Sequence, residues 1–182
     1  KPEPPKVVEK YILDIKGTSE KLSGTAWANM LKSREQMKTL TKENEGTVFL
    51  NGQNQRMVAL TFDDGPDREI TLGIIGILKK YDVRGSFFFV GEKVQQNADV
   101  VKTAFQAGNL VLSHSFYHND LSKGDKGEIV NDLRMTNDAI EDVIGKRSAL
   151  FRPPYGATNE QVITTVKDQN QKIVLWSIAT LD

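Results

Sequence analysis

The stretch Thr61-Phe62-Asp63-Asp64-Gly65-Pro66 decides how the rest of this chain is read. An apolar run over 57–62 ends in two adjacent carboxylates, and a Gly-Pro turn follows at once. The pair is therefore expected to project from the C-terminal end of a strand, where β/α barrels keep their chemistry. Two later segments carry what an Asp pair there needs: His114-Ser115-Phe116-Tyr117-His118 and Arg152-Pro153-Pro154-Tyr155-Gly156. Together they read as a metal site with a base and an orienting cation.

Working outward, 47–50 and 56–62 flank Asn51-Gly52-Gln53-Asn54, so a strand pair joined by an Asn-Gly turn is expected. Downstream the pattern alternates. Ile70, Ile74, Ile77 and Leu78 recur at helical spacing over 69–81, and Ser86-Phe87-Phe88-Phe89 reads as a buried strand within 85–90. A helix over 94–107 is ended by Gly108, and 109–112 is the next strand. After the histidine segment, Ile129, Leu133, Ile140, Val143 and Ile144 define a helix over 128–144 that stops at Gly145. Leu150-Phe151, a helix over 159–169 and a strand over 173–176 complete the series. This order predicts an α/β fold of parallel strands with outer helices. From 57 onward about five such strands fit, fewer than the eight of a closed barrel. The expectation is an incomplete barrel or an open sheet.

The 182 residues suit one large domain with a small extension. Residues 1–6, with Pro2, Pro4 and Pro5 among charges, read as a linker. Val7, Val8, Tyr11, Ile12 and Ile15 predict a helix up to Gly17, and Trp27, Met30, Leu31, Met37 and Leu40 a second over 25–40. The division expected is a linker and helical extension over 1–55, then a catalytic domain over 56–182. Basic and acidic residues balance at 24 each, so overall charge favours neither nucleic acid nor an anionic membrane. No stretch approaches the roughly 18 apolar residues of a membrane span, and Lys1 begins without a signal peptide. The sequence does not set an oligomeric state. The absence of cysteine excludes disulfides, thiolate zinc sites and a cysteine nucleophile, leaving His and carboxylate as strong metal ligands.

His114 and His118 are the only histidines, four apart and directly after a strand. On one helical turn that spacing turns both rings the same way, so their nitrogens converge on one ion at about 2.0 to 2.1 Å. A carboxylate from Asp63 or Asp64 completes a set with a position left for water or substrate. Zinc leads, and cobalt, iron and manganese suit the same donors, because geometry and availability select the metal. Adjacent aspartates on an extended chain point apart, so one binds metal while its neighbour reaches the water. A metal lowers that water's pKa toward about 7, and a nearby carboxylate takes its proton. Arg152, at another strand end, has the permanent charge and forked donors to hold a carboxylate ionised and oriented. The Pro-Pro pair stiffens the following loop, and Gly156 lets backbone amides approach a ligand.

In this order, Thr-Phe-Asp-Asp-Gly-Pro at 61–66, His-Ser-x-x-His at 114–118 and Arg-Pro-Pro-Tyr at 152–155 resemble the polysaccharide deacetylase family, carbohydrate esterase family four. The similarity spans about 57–182. The resemblance implies a distorted β/α barrel, C-terminally incomplete in this sequence. It also implies metal-dependent removal of N- or O-acetyl groups from a carbohydrate polymer. It implies Asp64, His114 and His118 as metal ligands, with Zn2+ ahead of Co2+, and Asp63 as general base. By the same carry-over Arg152 steadies the base, and the Tyr155 backbone amide helps bind the oxyanion.

Two departures stand out. The family's fourth motif, Asp-x-x-Asp-Trp, falls from 179 onward, yet Ala179 holds its first position and the sequence stops before the Trp. Asp182 holds the second, expected to pair with the catalytic histidine. The fifth motif, a Leu-x-x-His whose His is the general acid, is absent. The expectation is therefore a truncated or nicked piece of a full deacetylase, severely impaired alone. The expected substrate is N-acetylglucosamine of bacterial peptidoglycan, with an extracellular or cell-wall location. Asp64 argues against members acting on N-acetylmuramic acid, which often carry Asn there. Chitin, poly-N-acetylglucosamine and acetylated xylan stay open, as does a glycan-binding pseudo-deacetylase with Ala179 as its first sign. A two-metal phosphoesterase is disfavoured: two histidines and one Asp pair are few for two ions about 3.5 to 4 Å apart.

Overall fold

A computed structural model of the chain describes residues 24–52 and 56–178. The helix expected before Gly17, together with Ala179 and Asp182, lies outside the described residues.

Helix α1 (Gly24–Glu43) extends past the expected 25–40 and buries Met37, with Leu40 packed beside it. A turn at Asn44, whose carbonyl accepts from the Thr47 and Val48 amides, leads to strand β1 (Val48–Phe49). β2 (Thr61–Phe62) then starts the alternation through α2 (Ile70–Lys80), β3 (Ser86–Phe89), α3 (Gly91–Gln96), α4 (Ala98–Gln106) and β4 (Leu110–Ser113). It continues through α5 (Lys126–Ile144), β5 (Leu150–Phe151), α6 (Glu160–Asp168) and β6 (Lys172–Val174). The six strands form one sheet in the order β1-β6-β5-β4-β3-β2, and every pairing is parallel.

The hairpin expected between 47–50 and 56–62 does not form. β1 and β2 lie at opposite edges of the sheet, β1 held by the Ile173 amide on the Thr47 carbonyl and the Leu175 amide on the Phe49 carbonyl. Parallel partners need a long crossover between them, and β6 lies more than a hundred residues beyond β1, so the turn residues after β1 do not decide its pairing. β1 thus ties part of the N-terminal stretch into the same sheet as the Asp pair.

Ser86-Phe87-Phe88-Phe89 reads as a continuous apolar run because both faces of β3 are covered. Phe87 and Phe89 pack with Val94, Val101, Ala104 and Ile140 of the outer helices, while Phe88 is equally buried on the other face. A second cluster joins Phe151, Ile173 and Val48 to Ile129, Leu133, Val162 and Val166 of α5 and α6.

Two helices differ from their expected outlines. α2 buries Thr71, Ile75 and Leu78 and leaves Ile70 and Ile77 exposed, so its inner face is turned from the predicted one. Asp67 fixes this start by accepting from the Glu69 and Ile70 amides. The single helix expected over 94–107 is two, broken at Asn97 (φ −132°, ψ 45°), whose side-chain amide donates to the Lys93 and Pro66 carbonyls. α5 carries a full capping box, Asp125 with Glu128, and ends at left-handed Gly145.

The sheet curls. Arg152, just past β5, donates to Thr61 and Asp63 at β2, although β4 and β3 lie between. In a flat sheet three strand spacings, roughly 14 Å in all, would separate β5 from β2, beyond the reach of one side chain. The observed form is therefore an open, distorted half-barrel of α/β type whose strand ends surround a shared hollow.

Candidate metal centre and active site

Asp63 and Asp64 follow β2 directly, and Asp64 takes a left-handed backbone conformation (φ 69°). That twist sends the two carboxylates to different partners. Asp63 Oδ1 accepts from Arg152 Nη1 at 2.7 Å, whereas Asp64 Oδ1 lies 3.3 Å from His114 Nε2 and 3.0 Å from His118 Nε2. Lys93 Nζ, from α3, donates to the Asp64 carbonyl at 2.8 Å and holds the turn from outside.

His114 is buried and oriented by backbone. Its Nδ1 lies 2.7 Å from the Arg152 carbonyl oxygen, so Nδ1–H donates there and Nε2 presents its lone pair toward Asp64. Burial pushes the imidazole below its ordinary pKa, against the pull of the Asp63 charge, which favours the neutral, ligating form. His118 is less enclosed, with its ring edge-on to Tyr155 at 4.9 Å between centroids.

The segment between the histidines is a loop, not the helical turn expected. Ser115 (φ 65°) and His118 (φ 59°) are both left-handed, and these two reversals bring the rings to one point. The loop is gripped from two sides. The Gly91 and Glu92 amides, at the start of α3, donate to the Ser115 and Phe116 carbonyls at 3.0 Å each. From α5, Asp132 accepts the Ser115 hydroxyl at 2.9 Å and the Phe116 amide at 3.0 Å. Burial pushes the Asp132 carboxyl upward, opposed by those same donors and the Tyr117 amide. Sequence reasoning missed Asp132, although a carboxylate on the buried stripe of α5 beside Leu133 and Ile129 breaks that stripe's apolar pattern. It also missed Lys93, which carries no signal in its spacing, and gave Thr61 no role beyond its place at the head of the Asp-pair stretch.

Arg152 is 2% exposed. Besides Asp63 it donates to Thr61 Oγ1 at 2.9 Å and to the Val174 and Leu175 carbonyls at 3.1 Å each, and its guanidinium lies 3.9 Å above the Phe88 ring. Burial draws its pKa down while Asp63 opposes the shift. Tyr155 is left-handed (φ 61°) within the short turn Pro154–Gly156, and its ring lies edge-on beside His118.

One oxygen of Asp64 and one nitrogen each of His114 and His118 lie within 4.8 Å of one another, the one such group of three among the described residues. Ligands about 2.0–2.1 Å from a tetrahedral ion stand roughly 3.3 Å apart, close to the separations of both histidine nitrogens from Asp64. Neutral imidazole and carboxylate donors, one of them with its tautomer fixed, fit a divalent ion. Asp63, Arg152 and Tyr155 surround this group.

Fold and site together define a curled parallel α/β protein whose strand ends carry a candidate centre for one metal ion. The chain belongs to the polysaccharide deacetylase family, whose sequence profile matches residues 50–174. It is similar to the peptidoglycan-N-acetylglucosamine deacetylase PgdA of Listeria monocytogenes, 38% identical over 130 residues, covering 71% of this chain and 27% of that protein. Among solved structures it resembles the Bc1960 peptidoglycan N-acetylglucosamine deacetylase, with TM-score 0.73 and 33% identity, covering 78% of this chain and 66% of that one. It also resembles BA3943, a pseudoenzyme of carbohydrate esterase family four from Bacillus anthracis, with TM-score 0.72 and 29% identity, covering 78% of this chain and 50% of that one. The chain spans about a quarter to a half of the length of the curated N-acetylglucosamine deacetylases PgdA and its Bacillus cereus counterpart.

Proposed function

We propose that this chain carries the metal site and general base of a deacetylase that hydrolyses N-acetyl groups from N-acetylglucosamine residues of a polysaccharide. Peptidoglycan is the leading substrate, zinc the leading metal, and the bacterial cell wall or exterior the leading location. The observation that carries this reading is the division of labour between adjacent carboxylates: Asp64 faces two imidazole nitrogens, and Asp63 is turned to Arg152. PgdA and Bc1960 are named as peptidoglycan N-acetylglucosamine deacetylases, which supports the choice of glycan.

Asp64, His114 and His118 would hold a divalent ion, which when bound supplies Lewis acidity toward an acetyl carbonyl and a water acidic enough to lose a proton near neutral pH. Asp63 takes that proton as the water oxygen bonds to the acetyl carbon. Arg152 keeps the Asp63 carboxylate aimed, since a forked cation anchored on two carbonyls moves little. The Tyr155 amide donates to the oxyanion as the carbonyl becomes tetrahedral. The C–N bond then breaks, acetate forms, and the nitrogen leaves as an amine once protonated. Both histidines of the sequence face Asp64, so within the described residues Asp63 is the group placed to return a proton.

The test is acetate release from N-acetylglucosamine oligomers and peptidoglycan with zinc or cobalt added, for the natural chain and for Asp63→Asn. Slow, metal-dependent release that disappears in Asp63→Asn is expected, since both histidines of the sequence are taken up at the metal site. A second reading, a glycan-binding pseudo-deacetylase, is favoured by Ala179 at the start of the fourth motif and by the likeness to BA3943. Metal and glycan both bound with no acetate formed would select it.

A further inference from the structure

We propose that Asp132 is the positioning residue for His118: from α5 it sets the loop conformation that brings the second imidazole to the metal site. The inference rests on the reading of Asp64, His114 and His118 as metal ligands, and it assigns the two histidines to separate holding devices.

His114 needs no help from the loop. It sits at the end of β4, its amide donates to the Phe89 carbonyl, and its ring is tied to the Arg152 carbonyl. His118 lies four residues further on, and its side chain is 29% exposed against 3% for His114. Among the described residues its ring meets the Tyr155 and His114 ring edges and Asp64, with no backbone hydrogen bond like that of His114. What places it is the path of 115–117. That path starts at one left-handed residue, Ser115, and leads into another, His118 itself, neither of them glycine, a conformation that persists only when the surroundings impose it.

The imposing groups are identifiable. α3 supplies amides for the loop's carbonyls, and Asp132 supplies the matching acceptors for the loop's donors. Ser115, Phe116 and Asp132 are all buried, so water cannot replace the carboxylate. Without it the Phe116 amide and Ser115 hydroxyl face a dry interior unpaired, and an asparagine in its place turns an NH2 against one of the two donors, so in either case the loop must shift. The turn moves His118 and leaves His114 in place. Asp132 does not touch the ligand atoms; it acts through two intervening loop residues.

The experiment titrates cobalt and zinc into the natural chain, Asp132→Asn, Ser115→Ala and His118→Ala. Visible absorption of bound cobalt and thermal unfolding without metal are read alongside. Asp132→Asn is expected to bind metal 10- to 100-fold more weakly, with a cobalt spectrum displaced toward that of His118→Ala. Ser115→Ala, which removes only the hydroxyl donor and guards against misfolding of the first variant, is expected at the lower end of that range. Asp132→Asn with the natural affinity and spectrum overturns the proposal. So does a lowered unfolding temperature with an unchanged cobalt spectrum, the mark of a merely structural residue. A natural chain that binds metal no better than His118→Ala overturns the metal-site reading instead.

Discussion

Replacing Arg152 with methionine separates the contributions that its guanidinium combines. Methionine keeps an unbranched apolar stem, shorter than arginine, and removes both the guanidinium over Phe88 and every donor. The charge-assisted bond to Asp63 at 2.7 Å is lost, worth about 1.5–3 kcal/mol. The Val174 and Leu175 carbonyls each lose a donor, at about 1 kcal/mol apiece at the low end for buried acceptors. Against this, a cation is no longer held out of water, and the new side chain is apolar. Breaking a buried pair from one side costs about 3–5 kcal/mol, but the Asp63 side chain is 31% exposed and regains water, so the lower end applies. We expect a loss of about 3 kcal/mol. At roughly 2–4 °C per kcal/mol for a chain of this size, that is a fall of about 6–12 °C in unfolding temperature. Urea unfolding monitored by tryptophan fluorescence measures it, with an unchanged m-value as the control. The double variant Arg152→Met with Asp63→Asn should recover about 1 kcal/mol relative to additivity, because no carboxylate is then left without its partner. A single variant within 1 kcal/mol of the natural chain, or strict additivity in the double, would refute this account of Arg152.

Gly91→Ala places a methyl carbon 2.5 Å from Phe116 Cδ2 and 3.1 Å from the Thr136 Cα, so the histidine loop must shift. A loss of roughly 1–3 kcal/mol is expected, and an unaltered unfolding midpoint would contradict it. Acid should destabilise through Asp120, whose pKa is lowered by the Ser122 hydroxyl against the opposing push of burial, and further by Lys123 and the Ser122 amide. Its stabilisation is present above the unfolded value and lost as pH falls through the lower folded one. Asp132 has the opposite sign: its raised pKa makes stability fall as pH climbs from 3.8 through the folded value. Asp120→Asn should flatten the acid limb, and Asp132→Asn should remove the decline above it, both read from urea midpoints across pH 3–7. Zinc at about a hundredfold excess over its dissociation constant should add about 2.7 kcal/mol of stability. A chelator should reverse that gain, and His118→Ala should show none of it in a thermal melt.

The sequence exposed the strand ends because chemistry and periodicity change together there. The apolar runs stop at Phe62, Ser113 and Phe151, and charged or imidazole side chains follow at once. Parallel order was legible for the same reason, since helical and strand periods alternate from β2 to β6. What stayed hidden depends on partners distant in the chain. Nothing in Val48-Phe49 announces Ile173 and Val174 as neighbours, so a local Asn-Gly turn suggested a hairpin instead. The break at Asn97 rests on a hydrogen bond to Pro66, thirty-one positions away. The four-residue spacing of the histidines suits a helical turn, yet Asp132 and the start of α3 impose a loop with two left-handed residues. The inner face of α2 followed Asp67, a capping contact that periodicity does not register.

Arg152 is a chord across an arc. One guanidinium joins the ends of β2 and β6, which the sheet order holds four places apart, so the radius of the half-barrel and the aim of Asp63 are set by the same bonds. Neither can be varied alone. A substitution that opens or tightens the hollow to admit a different glycan would drag the carboxylate with it. Specificity in such a protein should therefore diversify in the loops that rim the hollow, while the strand ends stay fixed.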